Sequence, residues 1–350
     1  MTWDQGASLA DRFRAHAGTA QHLYGHAMRG MADDWEAGGP VRMLLAGYDR
    51  APRGSALSLR LLAGVFRLVL TDRAPELVRF YPCLGGLDEP ADAWPVMRAV
   101  LAEHPVELRA ALEVPPQTNE IGRSAALLAG LFDVIAATGV REVRLLEVGA
   151  SAGLNLLVDR FHFRGSGWSF GPVDSPVQLI DPIEGDVRST PFSISQRRGC
   201  DRHPIDATNP AGRLLLTSFV WPFDLHRHER LAAALSVAVD YPVAVDRAGA
   251  ADWLAHELTV GPERVLPVIW QSITQLYWAA EEVAAVESAL AAFGAQHPVA
   301  RVSLEFAPGD EPSARPELTT SVWRPGAAPR RRRLGAAHDH GLPVRLDRSS

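Results

Sequence analysis

The chain has no lysine: all 35 of its basic residues are arginine, set against 41 acidic residues for a net charge of -6. That absence removes whole enzyme classes. A P-loop needs its phosphate-binding lysine, protein kinases need a strand lysine, and Schiff-base chemistry needs a lysine amine. Cysteine is nearly absent too, with only Cys83 and Cys200, too few for a disulfide framework or a cysteine zinc site, so both are expected to be reduced. No apolar run reads as a membrane span, and Asp4, Asp11 and Arg12 interrupt any signal-peptide pattern. The expected location is the cytoplasm, with no membrane partner. The acidic balance argues against a nucleic-acid partner, and the one basic run, Arg330–Arg333, reads as a solvated hairpin face.

What is present suits a large core. The 350 residues with 47% hydrophobic content suggest two domains. From residue 8 to about 138, apolar positions recur at helical spacing, as in Leu57-x-Leu59-x-Leu61-Leu62-x-x-Val65-Phe66, with Gly/Pro punctuation at 38–40, 52–54, 82–90 and 115–116. The reading is a helical N-terminal domain over 1–116. Gln117 to Glu120 then open a helix running towards Thr138. From Val143 strands alternate with helices, the pattern of a doubly wound α/β sheet. Strands are expected at Val143–Val148, up to Cys200, and at Val243–Val245, Val265–Gln271 and Val299–Phe306. Helices are expected at Arg227–Val239, Ala250–Leu258 and Ala279–Phe293. The end reads as an antiparallel meander over Leu318–Trp323, Arg331–Ala336 and Pro343–Leu346, and the whole of 117–350 forms the second domain.

The most informative stretch is Leu145-Leu146-Glu147-Val148-Gly149-Ala150-Ser151-Ala152-Gly153-Leu154-Asn155, an apolar strand entering a small-residue loop. Three readings compete. A dinucleotide fingerprint needs Gly-x-Gly-x-x-Gly, but Ser151 and Leu154 stand where its later glycines belong. Gly149-x-Ser151-x-Gly153 matches a hydrolase nucleophile elbow, with Ser151 as nucleophile and His338 or His340 as base; the helical first 140 residues leave that sheet without its leading strands. The third reading, acidic-x-Gly-x-x-x-Gly, is similar to the first motif of S-adenosylmethionine-dependent methyltransferases, with Glu147, Gly149 and Gly153 in the matching places. A strand-to-helix turn without any ligand is the bland alternative.

Taken with Gln117-Thr118-Asn119-Glu120-x-x-Arg123, Arg198-Gly199-Cys200-Asp201-x-x-Pro204-Ile205-Asp206, Val220-Trp221-Pro222 and His338-x-His340-Gly341, this loop resembles a bacterial family known only as a domain of unknown function and grouped with the methyltransferase-like folds. The resemblance covers nearly the whole chain. It implies a Rossmann-like methyltransferase sheet with terminal antiparallel strands, preceded by a helical cap, and S-adenosylmethionine as cofactor. By that resemblance Glu147, Gly149, Ala150, Ser151, Gly153 and Asn155 hold the cofactor. Asp201 takes the ribose hydroxyls, although it lies 54 positions after Glu147, a gap that an insertion over about 161–192 explains. Asp159 and Asp174 are rivals for that role. Gly249 stands where the third motif expects an acid, leaving Asp252, which equally suits the first turn of a helix. After the fourth strand, Gln271 is a cofactor candidate, and the Asn-Pro-Pro-aromatic tetrapeptide of many amino-methyltransferases is absent.

The implied reaction is transfer of a methyl group to a small-molecule acceptor, at oxygen or nitrogen with oxygen the first expectation, by in-line displacement. The alternatives are the Ser151 hydrolase or a non-catalytic binding protein on the same fold. A phenol or alcohol acceptor gains from a base, for which His338, His340, Glu305 and Tyr277 are candidates by position. If the terminal meander is regular, Glu305 and the His338–His340 turn share the carboxyl edge, where ligands of such sheets bind. Gln117, Asn119, Glu120 and Arg123, with Trp270 and Trp278, are candidates for substrate contact. His338-x-His340 suits a turn as well as a metal, and no metal is expected.

Overall fold

A computed structural model describes residues 7–52, 55–258, 264–307 and 314–348. Asp4 and residues 53–54 of the second Gly/Pro punctuation lie outside them. The chain divides into two compact units, residues 1–118 with 211–229, and 119–210 with 230–350. The first boundary falls two residues past Pro116, and the segment 211–229, which the sequence pattern left with the sheet, counts with the helices.

The first unit is helical: α1 (Leu9–Ala17), α2 (Leu23–Glu36), α3 (Pro40–Leu44), α4 (Leu57–Leu70), α5 (Ala93–Glu103) and α6 (Pro105–Leu112). Ser8 opens α1 with a capping box, its Oγ accepting from the Asp11 N–H while Asp11 accepts from the Ser8 N–H. Met28, Met31, Leu61, Val65, Phe66, Met97 and Leu108 form the core, and Trp221 and Phe223 from the later segment pack against it. His22 stacks on Phe223 with ring centroids 4.3 Å apart. The same segment fastens by backbone, with the Cys83 N–H donating to Pro222 O at 2.9 Å.

The second unit begins with α7 (Ser124–Thr138). Gln117–Glu120 do not open it: Asn119 has φ +26°, and the helix starts only after a 3-10 turn at Ile121–Arg123. The reason is that the Asn119 and Glu120 side chains are spent on backbone N–H groups of loops, those of Leu154 and Gly122. Ile121–Thr138 is long and apolar enough to cross a membrane, contrary to the sequence reading, but 72% of it is buried, so its apolarity is that of a core helix.

A nine-stranded sheet carries the unit: β1 (Glu142–Val148), β5 (Ile183–Glu184), β6 (Ser193–Asp201), β7 (Val245–Arg247), β8 (Val265–Ser272), β9 (Val299–Glu305), β10 (Glu317–Trp323), β11 (Arg330–Ala336) and β12 (Val344–Leu346). Their order is β5-β12-β11-β10-β9-β8-β1-β6-β7. Pairing is parallel from β7 through β9 and between β12 and β5, and antiparallel across β9, β10, β11 and β12. The chain moves outward from β1 to β7 and then crosses to β8, which makes a reversal point between β1 and β8. Because β10 is antiparallel to both neighbours, β9 and β11 run the same way, and Glu305 and His338–His340 do reach the same edge as the end of β1.

The insertion over 161–192 holds a separate three-stranded sheet, β2 (His162–Gly165), β3 (Trp168–Phe170) and β4 (Gln178–Ile180), and supplies β5 to the main sheet. The crossovers from β6 onward carry α8 (Pro210–Ser218), α9 (Leu225–Asp240), α10 (Ala250–Glu257) and α11 (Ala280–Gly294). Leu146, Val148, Cys200 and Ile269 pack with Trp253, Leu254, Val286 and Leu290 on the face covered by α10 and α11. The opposite face takes α7, where Gly130 lies so close beneath Val302 that a Cβ would overlap it. Three of the four arginines of β11 are ion-paired, Arg331 with Glu287, Arg332 with Asp133, and Arg333 with Glu317 and Asp347.

Candidate functional site

The loop after β1 is built by its own backbone. Ala150 N–H donates to Cys200 O, Gly153 N–H to Ala150 O, and Leu156 N–H to Gly153 O. Two side chains complete it: Asp201 Oδ2 accepts from Ser151 N–H at 2.9 Å, and Asn119 Oδ1 accepts from Leu154 N–H at 3.1 Å. The loop leads into a 3-10 turn, Leu154–Arg160, kinked at Leu157, rather than the α-helix whose open N-terminus the sequence suggested. These donors are satisfied by protein and so are not open to a pyrophosphate.

Its glycines are filled in the same way. A Cβ on Gly149 would overlap the Thr274 methyl, one on Gly199 would lie 2.6 Å from Ala150 Cβ, and one on Gly153 would lie 2.8 Å from Val243 Cγ2. Gly149 and Gly153 also have φ +69° and +71°. Both demands together explain why glycine stands at these two places. Thr274, which the sequence reading passed over, is the residue that needs Gly149.

Beneath the loop the picture reverses. Glu147 is buried to 2% exposure beside its partners Trp270 in β8 and Gly199 in β6. Burial first, and the Asp201 charge second, push its carboxyl well above the usual range; Asn155, Arg123 and Trp270 pull the other way. Asn155 and Trp270 lean towards this carboxyl, yet Glu147 Oε2, Asn155 Oδ1 and Trp270 Nε1 fall short of full hydrogen-bond geometry. Ser151 Oγ and Gln271 Oε1, on the same sheet edge, are also buried without partners. Native interiors leave few such atoms, and they gather here at one sheet edge.

Around this cluster the polar residues hold loops in place. Glu120 accepts from Gly122 N–H at 3.1 Å and pairs with Arg230 at 3.5 Å. Arg123 donates through Nε to Asp339 O at 2.9 Å and through its guanidinium to Ser272 O at 3.2 Å, tying the turn that carries His338 and His340 to the end of β8. Gly122 lets His340 O lie where a Cβ would stand. Glu305 accepts from Thr274 N–H at 3.0 Å, Thr274 Oγ1 at 3.2 Å, Gln275 N–H at 3.4 Å and Gln271 Nε2 at 3.4 Å. Burial raises its pKa against those bonds. With both oxygens committed, Glu305 is an anchor for the β8 loop rather than an open base.

The remaining candidates scatter. His338 is exposed, His340 half-buried and Tyr277 56% exposed. Trp278 packs with the core under α10 and α11. Gln117 lies buried in the first unit. Asp252 is exposed in the first turn of α10, as its helix reading had it. Asp159 is taken by a two-pronged pair with Arg197 at 2.7 and 3.0 Å, and Asp174 is exposed in the insertion. An acid from α11 lies beside Gly249: Glu282 Oε1 accepts from Ala251 N–H at 3.2 Å and would lie 3.3 Å from a Cβ on Gly249. In sequence, Glu281-Glu282 reads only as an acidic helix start, so nothing there points to this reach.

Ser151 has the positive φ, +55°, of a sharp strand exit. Its Oγ is buried and bonded to no histidine, so the base that a hydrolase elbow needs is not in place. Among the described residues no group of three or more His, Cys, Asp or Glu side chains is arranged to hold a metal. No curated protein and no solved structure matches the chain. Residues 8–345 match the family described as an uncharacterized protein conserved in bacteria (DUF2332), and the chain belongs to that family.

Proposed function

We propose that the second unit is a Rossmann-like methyltransferase domain that binds S-adenosylmethionine at the carboxyl ends of β1, β6 and β8 and methylates a small molecule. The observation that carries this reading is the buried cluster of Glu147 Oε2, Asn155 Oδ1 and Trp270 Nε1, which face one another without reaching full hydrogen-bond geometry. Two of the three are acceptors, with the Gln271 and Ser151 oxygens nearby on the edge, so the cluster suits a ligand that brings N–H donors and positive charge. The strand order supports it as well. The run β7-β6-β1-β8-β9 is that of a doubly wound sheet, whose ligands bind at the reversal point.

When bound, the cofactor supplies an activated methyl group on a sulfonium; the chain's residues bind and orient. Burial and the Asp201 charge favour the protonated form of Glu147, and a cation beside it favours the carboxylate, so binding is expected to draw off its proton. Asp201 keeps lone pairs beyond the two it spends on the Ser151 and His203 N–H groups, and these can accept hydroxyls. Of the two histidine candidates, His340 is the half-buried one, in the turn that Arg123 and Gly122 fix.

Calorimetric titration with S-adenosylmethionine and S-adenosylhomocysteine tests the reading. Micromolar binding that is lost in Glu147→Ala and Asn155→Ala supports it. A folded wild type that binds neither compound overturns it.

A further inference from the structure

On the β7 side of the same loop lies a cavity of about 230 Å³, lined by Ala152, Pro204, Ile205, Ala207, Ala238, Val243 and Val245, with Asp206 and Thr208 at its lip. The polar cluster stands on the other side, over β1 and β8. The wall between them is the loop itself: Gly153 touches Val243 and Val245, and Ile205 N–H donates to Ser151 O at 3.0 Å.

We infer that this cavity is a second binding site, and that its ligand is a small neutral arene or the arene end of a larger molecule.

Three observations fix that class. The floor, Ala152, Ile205, Ala207 and Ala238, is buried and wholly aliphatic, and none of the nine lining side chains has a buried polar atom without a partner. The larger part of the wall is apolar, which favours a neutral ligand over a charged one that would give up hydration against it. The lip is self-contained: Asp206 Oδ1 accepts from Thr208 N–H at 2.8 Å and Thr208 Oγ1 at 2.6 Å, and Oδ2 accepts from Asn209 Nδ2 at 3.2 Å. Those bonds hold Asp206 below the usual carboxylate range, so a fixed negative charge at the mouth repels anions. Size sets the rest. A dry aliphatic cavity of about 150 Å³ admits benzene, so one about half as large again takes a bicyclic or substituted ring.

This inference does not depend on the cofactor reading, because its walls share no side chain with the polar cluster. It acquires a role if that reading holds, since a ring seated here presses on the loop that covers Glu147.

The test uses 5-fluoroindole as the neutral probe and a fluorinated naphthoate as its anionic counterpart, followed by fluorine NMR on the full chain without cofactor. Saturable binding of the indole, with the naphthoate at least about tenfold weaker, is expected from the aliphatic walls and the Asp206 charge. Ala238→Phe and Val243→Phe each fill the cavity from a different wall and are expected to weaken the indole at least about tenfold while the thermal midpoint shows a folded protein. Ile205→Ala enlarges it and is expected to favour a larger arene. No saturable binding by the wild type, or undiminished binding in both folded phenylalanine variants, overturns the site.

Discussion

Asp201 Oδ2 accepts a hydrogen bond from the Ser151 N–H at 2.9 Å, across a sequence gap of 50 positions, and its Oδ1 accepts from the His203 N–H at 2.8 Å. The carboxylate that closes β6 therefore shapes the loop that closes β1, and any ligand using that loop depends on it.

Replacing it separates shape from binding. Asp201→Ala leaves the Ser151 donor without its partner and is expected to lower unfolding stability by about 1–3 kcal/mol, with Asp201→Asn lying between it and wild type. Urea unfolding measures this. The same titrations should show affinity for S-adenosylmethionine reduced at least about tenfold in both variants; unchanged stability in Asp201→Ala refutes the clamp.

Stability should also depend on pH through Glu147. Its folded-state pKa lies above the ordinary 4.5, with burial as the first cause and the Asp201 charge as the second. The folded state therefore holds a proton that the unfolded chain releases first. This contribution is complete below the unfolded-state value and is lost as pH rises through the raised native value. Glu305, also raised by burial, adds to the same slope. Glu147→Gln keeps the shape and removes one titration, so its profile from about pH 5 to about pH 8 should be flatter than wild type, and it should be the more stable of the two at the alkaline end. Parallel profiles for the two proteins would contradict the assignment. S-adenosylmethionine binding, if it ionises Glu147, should release a proton, which titration in buffers of different ionisation enthalpy detects.

The sheet was legible in the sequence because parallel strands buried on both faces are long apolar runs; β1, β8 and β9 begin and end within two residues of their pattern. The edge position of Glu305 and His340 followed from strand parity alone. What the pattern hid were uses of polar groups by backbone across long separations. Gln117–Glu120 read as a helix start because polar residues after prolines suit one, whereas Asn119 and Glu120 are spent on Leu154 and Gly122 N–H groups. Likewise Gly149 and Gly153 read as room for a ligand, and the room is taken by Thr274 and Val243, residues no local pattern ties to the loop.

That packing makes a graded prediction. Gly149 and Gly139 both have positive φ, +69° and +74°, but a Cβ on Gly139 meets nothing within 4 Å, whereas one on Gly149 overlaps Thr274. Gly139→Ala should cost about 1 kcal/mol from conformation alone. Gly149→Ala adds overpacking worth about 1–3 kcal/mol, and Thr274→Ser in its background should recover part of it. Equal losses at the two glycines would mean that Thr274 yields freely.

Ser151 tests whether the loop is strained for a purpose. It holds φ +55° without being glycine, and its buried Oγ has no partner, so the fold bears both a backbone cost and an unmet hydroxyl. Ser151→Gly removes both and should raise unfolding stability by about 1 kcal/mol; Ser151→Ala removes only the hydroxyl and should gain less. If the hydroxyl is kept for a ligand, the more stable variants should bind S-adenosylmethionine more weakly, stability and affinity moving in opposite directions. A hydrolase nucleophile would act differently, with both variants abolishing cleavage of a simple ester that the wild type performs. If both variants gain stability and bind the cofactor with undiminished affinity, Ser151 has no part in the site, and Glu147, Asn155 and Trp270 are left to hold the ligand.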